Sequence, residues 1–154
     1  MIVNVKYPLA LASIFIWIGF VGAISFMEAW LKFRAPGITL SLGLGIGRLV
    51  FDALNKVEWL LVLALIANLV FAKATIFSLK NLFFFIPLLL LIVQTFWLLP
   101  SLDTRAELVI VGEELPASNL HYYYVGMEIV KMVCLLIFGT KLLNLRKCPT
   151  STIK

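Results

Sequence analysis

The sequence predicts an all-α fold: an integral-membrane four-helix bundle with a short amphipathic helix between its first and second helices. Three observations lead there. Of the 154 residues, 62% are hydrophobic and only 14% charged, where a soluble domain is about half apolar and a quarter charged. The mean hydropathy is +1.06. The apolar residues are also gathered into four runs, each bounded by Lys, Arg or Pro. The length fits a single domain over residues 1–154.

The first run, residues 7–30, follows Lys6 and is closed by Lys32 and Arg34. At 1.5 Å per residue it extends about 35 Å, enough to span a bilayer with tilt. It is too long for a signal-peptide core and no small-x-small cleavage site follows it, so it reads as a retained anchor. Gly19 and Ala23 give it a small face of the kind that lets helices approach closely in lipid. Pro36–Gly37 then marks a turn.

Residues 38–56 place Leu42, Ile46, Leu49, Val50, Ala53 and Leu54 at helical spacing, with Arg48, Asp52, Asn55 and Lys56 at the polar positions. This predicts an amphipathic helix lying at the interface or leading into the next span. Gly43, Gly45 and Gly47 do not form a nucleotide loop, because no strand precedes them and no Walker lysine follows. Gly43 and Gly47 read instead as a packing edge.

The second span, residues 57–72, is short. The third covers 82–99, with Pro87 in its first turns and Pro100 as its stop. The loop from Pro100 to Pro116 is read as a solvated cap holding a short helix, started by Ser101 or Asp103 and ended by Gly112, or as a lid whose Arg105 reaches an anionic ligand. The fourth span covers 120–143.

Four spans put both termini on one side together with the 73–81 loop. That side carries Lys6, Lys73, Lys80, Lys141, Arg146, Lys147 and Lys154, and no acid. The other carries Lys32, Arg34, Arg48, Lys56 and Arg105. This bias predicts both termini cytoplasmic. The net charge of +5 does not point to nucleic acid, because the cations are scattered over loops and a tail rather than gathered on one face. The expected partners are the lipid bilayer and, through the small faces, a homo-oligomer or a larger membrane complex.

The chemistry concentrates in Ser118–Lys131. At 100° per residue, His121, Tyr124, Glu128 and Lys131 share one helix face, and the last two lie about 12 and 16 Å into the helix. Charge at that depth must face protein or a wet cavity. Two readings stay open. One is a self-neutralising Glu128–Lys131 pair that pins packing. The other is a polar ligand- or ion-binding pocket on the non-cytoplasmic half, walled by Glu28, Arg48, Glu58, Gln94, Arg105, His121, Tyr124, Glu128 and Lys131. Glu28, Glu58, His121 and Glu128 would form a carboxylate-rich metal set, but without the Glu-x-x-His pairs of di-iron bundles. No nucleophile–base arrangement nominates a catalytic residue, and no cofactor is assigned. Trp17, mid-span, reads as a packing residue, as does Cys134. Cys148 sits in the tail as a possible palmitoylation site.

The Trp17-Ile18-Gly19, Phe33, Pro36, Gly47-Arg48 and Phe51 pattern resembles the small four-helix family named for transmembrane protein 205, as does the later Pro100, Arg105 and Leu120-His121 pattern. The resemblance implies architecture more than activity. Arg48, Asn55 and Glu58 also resemble the arginine and N-x-x-E of the membrane-associated eicosanoid and glutathione metabolism family. That likeness would imply a glutathione-transferase-like membrane enzyme acting on lipophilic substrates, with these residues binding glutathione at a trimer interface. Phe51 and Asp52 stand where that family carries an arginine, and its third-helix arginine and tyrosine pattern is missing.

Overall fold

A computed structural model of the chain describes residues 7–72 and 82–143. The 73–81 loop, Lys6 and the tail with Arg146, Lys147, Cys148 and Lys154 lie outside the described residues. Among the described residues the structure is all-helical, with four long helices and no strand. We label them α1 (Pro8–Arg34), α2 (Leu40–Phe71), α3 (Leu82–Ile110) and α4 (Leu120–Leu142). By length and composition, α1 and α3 are apolar enough to cross a membrane.

Pro8 opens α1, where its missing N–H costs nothing and its fixed φ suits the first turn. The free Ala10 N–H near that end is taken by Asn68 Oδ1 of α2 at 3.1 Å. The Pro36–Gly37 turn forms as its residues require: Gly37 has φ 81° and Ile38 N–H returns to Ala35 C=O at 3.2 Å, the pattern of a type II turn. Thr39 caps α2 by accepting from Leu42 N–H at 3.2 Å.

The stretch 38–56 is not a separate interfacial helix: it leads into the span 57–72, the second of the two readings, as one continuous helix of 32 residues. Its polar residues find partners that need no break: Lys56 pairs with Asp52 at 2.6 Å, one turn back, and Asn55 donates to Thr95 of α3 at 2.9 Å. Pro100 does not stop α3 either. A π-helical turn over Gln94–Leu98, in which Leu99 N–H reaches back five residues to Gln94 C=O, precedes the proline. The wider turn accommodates a ring that would clash in a tighter one. Hydroxyls satisfy nearby carbonyls: Ser101 donates to Trp97 C=O at 2.7 Å and Thr104 to Pro100 C=O at 3.0 Å. The helix therefore runs through the segment read as a cap, up to a glycine stop at Gly112 (φ 95°), where Gly112 N–H meets Val109 C=O and Glu113 N–H meets Leu108 C=O. This is a Schellman closure.

A second π-helical turn, Gly22–Glu28, lies in α1. Pairings along the helices descend on one as they ascend on its neighbour. Ala10 meets Asn68 and Trp17 meets Glu58; Asn55 meets Thr95 and Arg48 meets Asp103; Ser25 meets Tyr124 and Ile14 lies against Gly139. Neighbouring helices are thus antiparallel. One end is a mainly apolar core of Ala10, Ile14, Leu65, Leu69, Phe84 and Phe138. The other end is polar.

The small faces divide. Gly43 and Gly47 are buried, and an added Cβ would run into the Phe33 ring at the first and lie 2.9 Å from Lys32 Nζ at the second. They seat the end of α1, as a packing edge should. Gly19 and Ala23 are exposed and touch no other helix of this chain closely at Gly19. The close approach involving α1 is made at Gly139 of α4 instead.

Candidate functional site

The polar end contains a buried cluster and a groove above it. Four helices contribute to the cluster. Lys131 Nζ of α4 donates to Glu58 Oε1 of α2 at 2.5 Å and to Glu128 Oε1 at 3.2 Å. Glu58 Oε1 also accepts from Trp17 Nε1 of α1 at 2.7 Å, and Glu128 Oε1 from Gln94 Nε2 of α3 at 3.0 Å. Glu128 and Lys131 are 0% exposed, Gln94 1% and Glu58 2%. Charges taken this far from water are tolerated only when paired and hydrogen-bonded.

The Glu128–Lys131 pair expected from spacing is present, but it is half of a larger network. Lys131 bridges two carboxylates, and the shorter contact is to Glu58, 73 residues away. Trp17 packs as expected and is also a donor to that network. Its mid-span position in an apolar run was the available signal.

Above the cluster, Tyr124 is buried, stacks edge-on to Phe51 with ring centroids 5.1 Å apart, and shares a 3.4 Å contact with Ser25. Both π-helical turns deliver polar side chains here: Ser25 from Gly22–Glu28 and Gln94 from Gln94–Leu98. Such turns recur at functional positions, because the extra residue re-aims side chains that an α-helix would place elsewhere.

Tyr124 also lines a groove of about 1090 Å³ enclosed by the end of α1, the first half of α2, the second half of α3 and the start of α4. Phe33, Phe51, Leu44, Leu99 and Leu102 supply apolar walls; Lys32, Arg48, Asp52, Asp103 and His121 supply charge and hydrogen bonding. Gly45 opens onto it with nothing within 4 Å of an added Cβ. Arg48 grips Asp103 with two parallel bonds, 2.5 and 2.9 Å, and Glu107 lies 3.8 Å away. Bidentate geometry of this kind is strong and directional. Hydrogen bonding to Asp103 raises the Arg48 guanidinium above its ordinary value.

The nine residues read from sequence thus separate into three groups. Glu58, Gln94, Glu128 and Lys131 form the buried cluster. Arg48, His121 and Tyr124 line the groove. Glu28 and Arg105 belong to neither: Glu28 pairs with Lys32 one turn on, at 3.2 Å, and Arg105 donates to the Pro116 carbonyl at 2.5 Å. Arg105 therefore fastens the connection to α4 rather than reaching for a ligand in the groove. Among the described residues no three His, Cys, Asp or Glu side chains converge as metal ligands, so the Glu28, Glu58, His121 and Glu128 set is dispersed. The reading missed Asp103, Lys32 and Ser25, whose roles depend on contacts between helices.

Comparison with protein-family models, curated proteins and solved structures finds no match to this chain.

Proposed function

We propose that the chain is a multi-pass membrane protein. It crosses the bilayer four times, keeps both termini in the cytoplasm, and binds a small amphipathic molecule in the groove at the non-cytoplasmic end of its helices. Its polarity supports the membrane assignment. Phe15, Ile16, Leu60, Leu63, Leu89, Phe96, Val133 and Leu136 face outward, while Glu58, Gln94, Glu128 and Lys131 are enclosed. A soluble fold has the reverse arrangement. The charges that lower the mean hydropathy of α4 are largely those paired inside, so lipid meets Ile129, Val130, Val133 and Leu136 instead.

The groove carries the functional reading. Its volume of about 1090 Å³ suits a small molecule. Its aromatic and aliphatic walls fit an apolar body. Its rim holds charges of both signs, suited to a head group that donates and accepts hydrogen bonds. Gly45→Trp tests this, because Gly45 lines the groove and a Cβ there has nothing within 4 Å. Untargeted mass spectrometry of small molecules co-purified in mild detergent should find a species with the wild type that is depleted from the variant, at an undiminished melting temperature. Identical small-molecule profiles would overturn the reading.

A further inference from the structure

Two buried oxygens in the cluster meet no donor: Glu128 Oε2 and Gln94 Oε1. They are the second halves of two groups already joined by the 3.0 Å bond from Gln94 Nε2 to Glu128 Oε1. Buried polar atoms are rarely left unpaired, and each orphan calls for a specific explanation. An amide and an ionised carboxylate can make only the bond already present, since both remaining atoms are acceptors. An amide and a carboxylic acid can make two, N–H to oxygen and O–H to oxygen, closing a ring. A single hydrogen then satisfies both orphans.

Charge counting gives the same answer. Gln94 from α3 and Lys131 from its own helix bond Glu128, Glu58 from α2 shares that Lys131, and α1 stands one bond further out, with Trp17 on Glu58 and Ser25 on Tyr124. Two carboxylates against one ammonium leave one negative charge uncompensated in a fully enclosed site, a costly arrangement. Glu58 Oε1 already takes both Lys131 and the Trp17 N–H, which suits an ionised group. Glu128 has the empty oxygen.

We propose that Glu128 is the binding site for one proton, carried on Oε2 and donated to Gln94 Oε1, and that Tyr124 is its route of exchange with the groove. Tyr124 lies one helical turn before Glu128 on the same buried face of its helix, contacts Ser25 at 3.4 Å and lines the groove. The exchange forms and breaks only O–H bonds. On release, the proton passes to water in the groove and Glu128 becomes a carboxylate; on uptake the reverse occurs. This site stands whatever the groove binds. Gly45→Trp should leave it intact, so the two readings fail separately.

The test is infrared difference spectroscopy of the full chain in lipid nanodiscs at neutral pH. The wild type should show the carbonyl stretch of a protonated carboxyl group, which moves in deuterated buffer. Glu128→Gln should lose that band yet keep the wild-type melting temperature, because its amide nitrogen can donate to Gln94 Oε1 as the acid does. Glu58→Gln should also lose the band and melt at a lower temperature, because Lys131 then has Glu128 as its only carboxylate and ionises it. Gln94→Leu should keep the band and raise its frequency, because the acid loses the acceptor of its O–H. Tyr124→Phe should keep the band but shift it into its deuterated form severalfold more slowly. Absence of the band in the wild type overturns the proton site, as does its persistence in Glu128→Gln or failure of that variant to fold. An unchanged exchange rate in Tyr124→Phe overturns the route.

Discussion

The two ends of this helical assembly are buried equally well but held by different forces. At one end Ala10, Ile14, Leu65, Leu69, Phe84 and Phe138 interlock with no charged partner. At the other, Trp17, Glu58, Gln94, Glu128 and Lys131 are joined by directional bonds between 2.5 and 3.2 Å. The apolar end can be satisfied by many sequences of the right volume. The polar end cannot, because Trp17, Glu58, Gln94, Glu128 and Lys131 each bond a specific side chain on another helix. Both π-helical turns lie at or beside the polar end, as does the groove. The contrast separates the part of the chain that holds shape from the part built around chemistry.

Removing one group from each end should expose that contrast. Lys131→Met would strip Glu58 and Glu128 of their shared cation and should cost about 3–5 kcal/mol, read as a collapse of the melting temperature in detergent micelles. Leu65→Ala at the apolar end should cost on the order of 2 kcal/mol, because in the proposed membrane setting the transfer term falls away and mainly the cavity remains. Equal losses by thermal denaturation would erase the distinction. In the groove wall, Thr95 accepts from Asn55 at 2.9 Å and from Trp59 at 3.0 Å and donates to Leu91 C=O at 2.7 Å. Thr95→Val should cost about 1 kcal/mol by orphaning two donors, measured in the same melts. The smallest effect should have the opposite sign. Gly45→Ala meets no neighbour within 4 Å and should stabilise α2 by somewhat under about 1 kcal/mol; a lower melting temperature would mean that the groove wall is packed more tightly than its open face implies.

What the sequence could reveal follows from range. Periodicity placed Tyr124, Glu128 and Lys131 on one buried face, since a helix fixes its own angular relations. It also located the turn at Pro36–Gly37 and the stop at Gly112, where residue type dictates φ. It could not find the partner of Lys131 on α2 or the donor at Trp17, because neither pairing has a local signature. Pro100 misled for a related reason. A proline is a helix stop only in α geometry, and the preceding π-helical turn changes the rule. Glu28 and Arg105 were drawn toward the pocket by charge alone, whereas each had a nearer partner: Lys32 one turn away and the carbonyl of Pro116.

The π-helical turn at Gln94–Leu98 also acts as a phase setting. One residue more than an α-turn needs rotates everything downstream by about 100°. Everything from Pro100 to Ile110 therefore points where it does because of a single insertion upstream. Asp103 meets Arg48, and the groove has its fourth wall, only at that angle. Chain length in this one turn is as much a determinant of the groove as the side chains that line it. A natural sequence shortened there by one residue would keep its apolar character and lose its register.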